Sequence, residues 1–346
     1  MFNWLFKKNQ NKEYVSCKWL EYGIHFTASG LHTCDKYAHP ESSMTSLSPL
    51  GKNNNYNFSD FFKKKKKLRR DAKKGKIQST CQGCYMLENT IWEDAEKIKC
   101  MAISTNTSCN SNCIYCYTHR NKKFYNSQPD ISIYDFIEKS IKNKKIESDC
   151  EIQIGGGEPL LKPEFEKIIK IFLDNSFNNI RIYSSGILYS LGIQKCLEKD
   201  YIKELVISVD SGTQELYKSI KNVDEFESVW KNIKSYCDSQ GENKEQVRAK
   251  YIIIPKLNEN IAAIDAFFDK VLESGVKFVL IDVEMFWYKT HHNNKKKIQE
   301  LFNIVKYMEA KCIENNIKFG HFSSVCYAID KYRKMYEETN VCLGNM

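Results

Sequence analysis

No run of about eighteen consecutive apolar residues occurs in the 346-residue chain, so no stretch of it reads as a membrane-spanning helix. The first twelve residues hold only a short apolar stretch before lysines begin, without a small-residue cleavage site. No export signal is read there, and the cytoplasm is the expected compartment. No internal repeat is present. A formal charge of +9 is modest for this length and comes mainly from lysine, in a chain also rich in Asn and Ile. Charge of that size does not by itself indicate nucleic acid as a partner. With 42% hydrophobic and 27% charged residues, the composition is that of an ordinary globular protein. The length suits one large α/β domain or a catalytic domain with an appendage.

What is abundant is cysteine, at fourteen residues. A long chain without an export signal is not a disulfide scaffold, so clustered cysteines point to metal or catalysis. Seven of them fall into two sets.

Residues 98–346 alternate β-rich runs with amphipathic segments. The expected strands are Cys100–Ser104, Glu151–Gly155, Ile180–Tyr183, Glu204–Val209, Arg248–Ile254 and Lys277–Glu284. Between them, Ile133, Phe136, Ile137 and Ile141 share a helical face, as do Phe165, Ile168, Ile169 and Phe172. Six such units imply parallel strands with right-handed crossovers and chemistry at the strands' C-terminal ends. The expected fold is α/β, a partial parallel (β/α)6 barrel behind a small cysteine-bearing domain at residues 1–97. That first part has a hairpin signal, Gly23–Phe26 and Leu31–Cys34 around Thr27 to Gly30, then a long polar loop over 36–60. A basic run at Lys63–Arg70, placed in a loop, reads as a solvated face, with substrate or partner docking as the alternative.

Cys109, Cys113 and Cys116 form CxxxCxxC just after the first expected strand of the repeating part. Three soft thiolates on one tight loop can hold three irons of a [4Fe–4S] cube and leave the fourth iron open. Zinc, with His119 as a fourth ligand, is the competing metal. One strand–helix unit later, Gly155-Gly156-Gly157-Glu158-Pro159 ends the second strand. Its glycines let backbone approach a ligand closely.

These motifs resemble the radical S-adenosylmethionine (SAM) superfamily over residues 98–285. Tyr115 stands at that family's aromatic position before the last cysteine, and Glu158 lies in its GGEP motif. The resemblance implies that Tyr115 lies against adenine. It implies that Gly156, Gly157, Glu158 and Pro159 contact SAM, with Glu158 taking the ammonium group. Ser184 at the third strand's end, and Ser208 and Asp210 at the fourth, match the family more loosely as SAM contacts. It implies reductive cleavage of SAM to a 5′-deoxyadenosyl radical that removes a hydrogen atom from substrate. A one-electron donor such as a flavodoxin or ferredoxin would supply the electron.

Cys17, Cys34, Cys81 and Cys84, with Gly30 in the hairpin, are similar to an auxiliary-cluster module called SPASM or twitch. Two departures stand out: Asp35 replaces a second adjacent cysteine, and the module precedes the barrel. The resemblance implies a second [4Fe–4S] cluster; a structural zinc is the alternative. Cys326 and Glu284 are candidates for a hydrogen donor and an acid or base, with Tyr288, His291 and His292 close to Glu284. Cys100, Cys150, Cys196, Cys237 and Cys312 read as core residues, and Cys342 falls near the end of the chain. The expected substrate is a peptide or protein side chain. A carbohydrate or aminocyclitol to be dehydrogenated or epimerised is the alternative; RNA or nucleotide modification and a non-catalytic iron–sulfur protein rank below both.

Overall fold

Short β-branched runs alternating with amphipathic segments become strands and helices where the pattern places them. The computed structural model describes residues 12–27, 30–32, 34, 58–77, 81–82, 84, 86–93, 97–104, 108–116, 133–240, 244–322, 325–326, 328–329 and 332. His119, Asp35, Cys342 and nearly all of the 36–60 segment lie outside these. The chain divides into two compact units, residues 1–105 with 124–153, and 106–123 with 154–346.

The first unit contains β1 (Tyr14–Ser16), α1 (Lys18–Tyr22), β2 (Gly23–Thr27), β3 (Gly30–His32), α2 (Phe58–Lys73), β4 (Glu88–Thr90), β5 (Ile98–Ser104), α3 (Ile133–Lys142) and β6 (Ile146–Ile154). β1 pairs antiparallel with β4. The expected hairpin is present as β2 and β3, with Thr27 opposite Gly30. β2 also lies parallel to β5, from Gly23↔Cys100 to Thr27↔Ser104, so the sheet order here is β6-β5-β2-β3. The hairpin therefore extends the parallel sheet.

Expectation and structure part at the basic run, which is helix α2. Phe61, Lys65, Leu68 and Ala72 are buried at helical spacing, so a lysine occupies one position of the inward stripe. The Lys65 ammonium nitrogen donates to the carbonyls of Trp19 (3.2 Å) and Gly23 (2.5 Å), at the C-terminus of α1. Burial lowers its pKa to about 7.

The second unit begins as β6 ends and continues with α4 (Phe165–Asp174), β7 (Ile180–Ser184), α5 (Leu191–Glu198), β8 (Ile202–Ser208), α6 (Gln214–Lys221), α7 (Phe226–Ser239), β9 (Val247–Ile253), α8 (Ile261–Glu273), β10 (Phe278–Val283), α9 (Met285–His291), α10 (Lys295–Glu314) and β11 (Lys318–His321). β7 to β11 are all parallel, in chain order. Side chains of Ser190, Thr213, Asn260 and Asn294 cap α5, α6, α8 and α10, each accepting from a first-turn amide. A Cβ on Gly212 would lie 2.0 Å from the Ala266 carbonyl carbon, so only glycine lets the turn before α6 meet α8 this closely.

Alternation along these strands separates two faces. One carries Ile182, Leu205, Ile207, Ala249, Tyr251, Val279 and Ile281, all wholly buried. The other carries Arg181, Tyr183, Glu204, Ser208, Arg248, Lys250 and Asp282, which share a face by register. The fold class is the expected mostly parallel α/β. Among the described residues, no helix is long and apolar enough to cross a membrane.

Candidate functional site

The loop after β5 is held by backbone rather than by its own side chains. The amides of Asn112 and Ile114 donate to the carbonyls of Lys221 (2.9 Å) and Ile220 (3.0 Å), the last residues of α6. These carbonyls lack partners within the helix, so the loop satisfies them. Asn222, left-handed at φ 54°, turns its side-chain amide back to the Asn112 carbonyl at 2.7 Å. Cys109, Cys113 and Cys116 sit on this strapped loop, each half-buried and none in a disulfide. The Cys116 amide closes a turn onto the Cys113 carbonyl at 3.0 Å. Burial pushes the Cys113 thiol upward; Lys221 pulls it down, while Asp210, Cys116 and Cys109 raise it further. Cys113 thus feels both of the other thiols. Among the described residues no three ligand-type side chains stand together as a ready-made metal cage. By donor chemistry the set fits a thiolate-bound iron–sulfur cluster.

The glycine run after β6 takes positive φ at Gly156 (78°) and Gly157 (60°), which residues with a Cβ rarely adopt. It delivers Glu158, wholly buried, whose amide donates to the Ser108 carbonyl at 2.9 Å. The Glu158 carboxylate caps the turn starting at buried Pro159 by accepting from the Leu160 amide at 3.2 Å. It also accepts from the Ser184 hydroxyl (3.0 and 3.1 Å) and the Ser185 amide (2.7 Å). The Ser185 hydroxyl then donates to the Asn110 side-chain oxygen at 3.0 Å. One chain of hydrogen bonds therefore runs from Ser108 through Glu158 and Ser185 to Asn110. It joins the cysteine loop to the ends of β6 and β7.

At the end of β8, Asp210 is held by the protein itself. It is wholly buried, and its Oδ1 accepts the Ile252 amide at 2.7 Å. Its Oδ2 accepts from the Tyr115 hydroxyl and the Lys221 ammonium, each at 2.5 Å. Lys221 also donates to the Tyr115 hydroxyl at 2.8 Å. The Tyr115 ring packs on Ile220, Ile252 and Ile254, and burial followed by Asp210 raises its phenol well above the usual range. Burial opposes the Lys221 charge, but Asp210, Cys113 and Cys109 prevail and raise its pKa. Ser208, half-buried, lies opposite Lys250 on β9.

Two residues absent from the motif reading stand beside this end of the sheet. Lys250 and Asp282 form a largely buried ion pair at 2.8 Å, and the Lys250 nitrogen lies 3.8 Å from the centre of the Phe322 ring. The Lys250 carbonyl accepts the amides of Val209 (3.1 Å) and Asp210 (3.3 Å). The signal was charge inside two otherwise apolar strands, Lys250 with Arg248 in β9 and Asp282 in β10. Glu284, by contrast, is occupied in capping α9 through the Trp287 amide at 2.6 Å, and His291 stacks on Trp287. The Cys326 sulfur is exposed and 3.7 Å from the His321 carbonyl.

In the first unit, Cys17 caps α1, its sulfur 3.4 Å from the Leu20 amide. With Cys81 it lines a cavity of about 330 Å³ that also meets Leu20, Leu68, Ala72 and Leu87. Burial raises the Cys17 thiol, which also feels Cys81 and Cys84. The Cys84 amide closes onto the Cys81 carbonyl at 3.1 Å, and Cys34 packs on the cluster containing Cys17, Trp19 and Trp92. Cysteines far apart in sequence converge here.

The sequence profile of the radical SAM superfamily matches residues 103–271. A GTP 3′,8-cyclase of Clostridium botulinum (strain Okra) is 28% identical over 191 residues, 53% of this chain and 56% of that protein. A probable GTP 3′,8-cyclase of Methanocaldococcus jannaschii is 30% identical over 145 residues, 41% of this chain and 46% of that protein. The chain thus spans about half the length of the curated relatives it matches. Streptococcus suis SuiB bound to S-adenosylmethionine shares the fold at TM-score 0.50 and 14% identity, over 80% of this chain and 63% of that one.

Proposed function

We propose that the chain is a radical SAM enzyme in which Cys109, Cys113 and Cys116 hold a [4Fe–4S] cluster for hydrogen abstraction from a peptide or protein side chain. The observation that carries the site is the hydrogen-bond chain Ser108–Glu158–Ser185–Asn110, which ties the cysteine loop to the glycine run. When bound, the cluster and SAM supply a one-electron cleavage that yields the 5′-deoxyadenosyl radical. The chain's residues orient and enclose. Gly156 and Gly157 let backbone approach the cofactor, Tyr115 presents a ring at the cluster loop, Ser184 holds the Glu158 carboxylate, and Ser208 offers a hydroxyl at the end of β8. Lys250 and Asp282 give the substrate side of the sheet a fixed, paired charge. The electron would come from a flavodoxin or ferredoxin.

Support for a peptide substrate comes from the second thiol set, whose counterparts accompany peptide-modifying members of the superfamily. We assign Cys17, Cys34, Cys81 and Cys84 to an auxiliary [4Fe–4S] cluster. Metal analysis after anaerobic reconstitution is expected to give about eight irons per chain; about four with one zinc points to a structural zinc instead. A purine nucleotide is the second reading, favoured by relatives that are GTP 3′,8-cyclases. The matched stretch leaves about half of those proteins uncovered. Incubation of the reconstituted enzyme and SAM with GTP in one arm and a peptide pool in the other, followed by mass spectrometry, separates the two. Consumption of GTP alone would overturn the peptide reading.

A further inference from the structure

The cysteine loop is strapped to the C-terminal end of α6, an unfavourable place to gather thiolates. A helix C-terminus carries partial negative charge, and cations rather than anions are stabilised there. Lys221 is the last residue of that helix, and only 3% of its surface is exposed. Two of its three N–H donors go to Asp210 and the Tyr115 hydroxyl. Asp210 is itself fixed by the Ile252 amide, and its carbonyl accepts from Asn258 at 3.0 Å. The ammonium is therefore a rigid charge with little freedom to swing away.

We propose that Lys221 is a positioning residue of the cluster site: locked by Asp210, it anchors Tyr115 and places a fixed positive charge against the cysteine loop, whose Asn112 amide donates to the Lys221 carbonyl. The assignment rests on reading the cysteines of that loop as cluster ligands. It goes beyond that reading by giving Tyr115 and Asp210 an electrostatic task that the motif resemblance does not. Three thiolates at a helix C-terminus repel one another and the helix. A buried ammonium offsets that repulsion where water cannot. Reduction adds one more negative charge to the same place, so the lysine favours the reduced form. Asp210 alone would work in the opposite sense.

The test uses the full chain, anaerobically reconstituted, as wild type, as the Lys221→Met/Asp210→Asn double variant and as Lys221→Gln. The double variant removes both charges together, and the single variant carries the test if the double one does not fold. Readouts are iron per chain, the EPR spectrum of the reduced cluster with and without SAM, and its midpoint potential by dye-mediated titration. Both variants are expected to bind iron. Lys221→Gln should have a more negative midpoint, its ratio of reduced to oxidised cluster at a fixed solution potential falling by about tenfold. The double variant, which also loses the opposing Asp210 charge, should shift in the same direction but less. Unchanged potential and unchanged EPR in Lys221→Gln, or in the double variant where only that one binds iron, overturn the proposal. Wild-type protein that takes up no iron overturns instead the ligand assignment beneath it, so the two failures are distinct.

Discussion

Single buried charges carry the clearest consequences at the residue scale. Lys65 donates to two carbonyls at the end of α1, and burial brings its pKa to about 7. Its unfolded value is near that of free lysine, so between about 7 and 8.5 the unfolded chain binds more protons than the native one. Stability contributed by this group therefore rises with pH across that window, and the penalty for charging it is fully present below about 7. In the metal-free chain, the urea midpoint should climb over that range, and Lys65→Met should flatten the climb. An equal slope in both proteins would contradict the account. The Lys250–Asp282 pair makes a second case, both side chains being largely buried. Lys250→Met leaves a buried carboxylate without its cation and should destabilise by about 3 kcal/mol. The Lys250→Met/Asp282→Asn double variant should recover most of that, and a double-mutant cycle in urea measures the coupling.

Among the elements, the connection from β8 through Asp210 and Gly212 into α6 holds the most information per residue. Gly212→Ala would force a methyl against the Ala266 carbonyl carbon at 2.0 Å, so the turn or α8 must shift. A loss of at least about 3 kcal/mol is expected by thermal or urea unfolding; a loss under about 1 kcal/mol would show that α8 yields easily. Ser190→Ala removes the cap of α5 and should cost about 1 kcal/mol in the same assay. The strands were legible because β-branched runs with period two declare themselves locally, and the six strands of the repeating part stand where that pattern puts them. Helix α2 was not legible. Its inward stripe contains Lys65, so a helix with a buried amine resembled a solvated basic loop. Nor was the parallel pairing of β2 with β5 legible, because it joins segments more than seventy residues apart in sequence. The partners of Asp210 were not legible for a related reason: Tyr115, Lys221 and Ile252 come together only in space.

On the scale of the whole molecule, motifs spread from Cys109 to Asp210 gather at the C-terminal ends of parallel strands in one unit. The cysteine loop, Glu158 and the Ser184-Ser185 turn are joined by hydrogen bonds rather than merely adjacent. A second group of thiols gathers in the other unit, around the cavity lined by Cys17 and Cys81. Release of 5′-deoxyadenosine from SAM by the anaerobically reconstituted, chemically reduced chain tests the central claim most directly. The account predicts release by wild type and none by Cys113→Ala at matched folding. Equal release by the two proteins, or a folded wild type that binds no iron and leaves SAM intact, would contradict it.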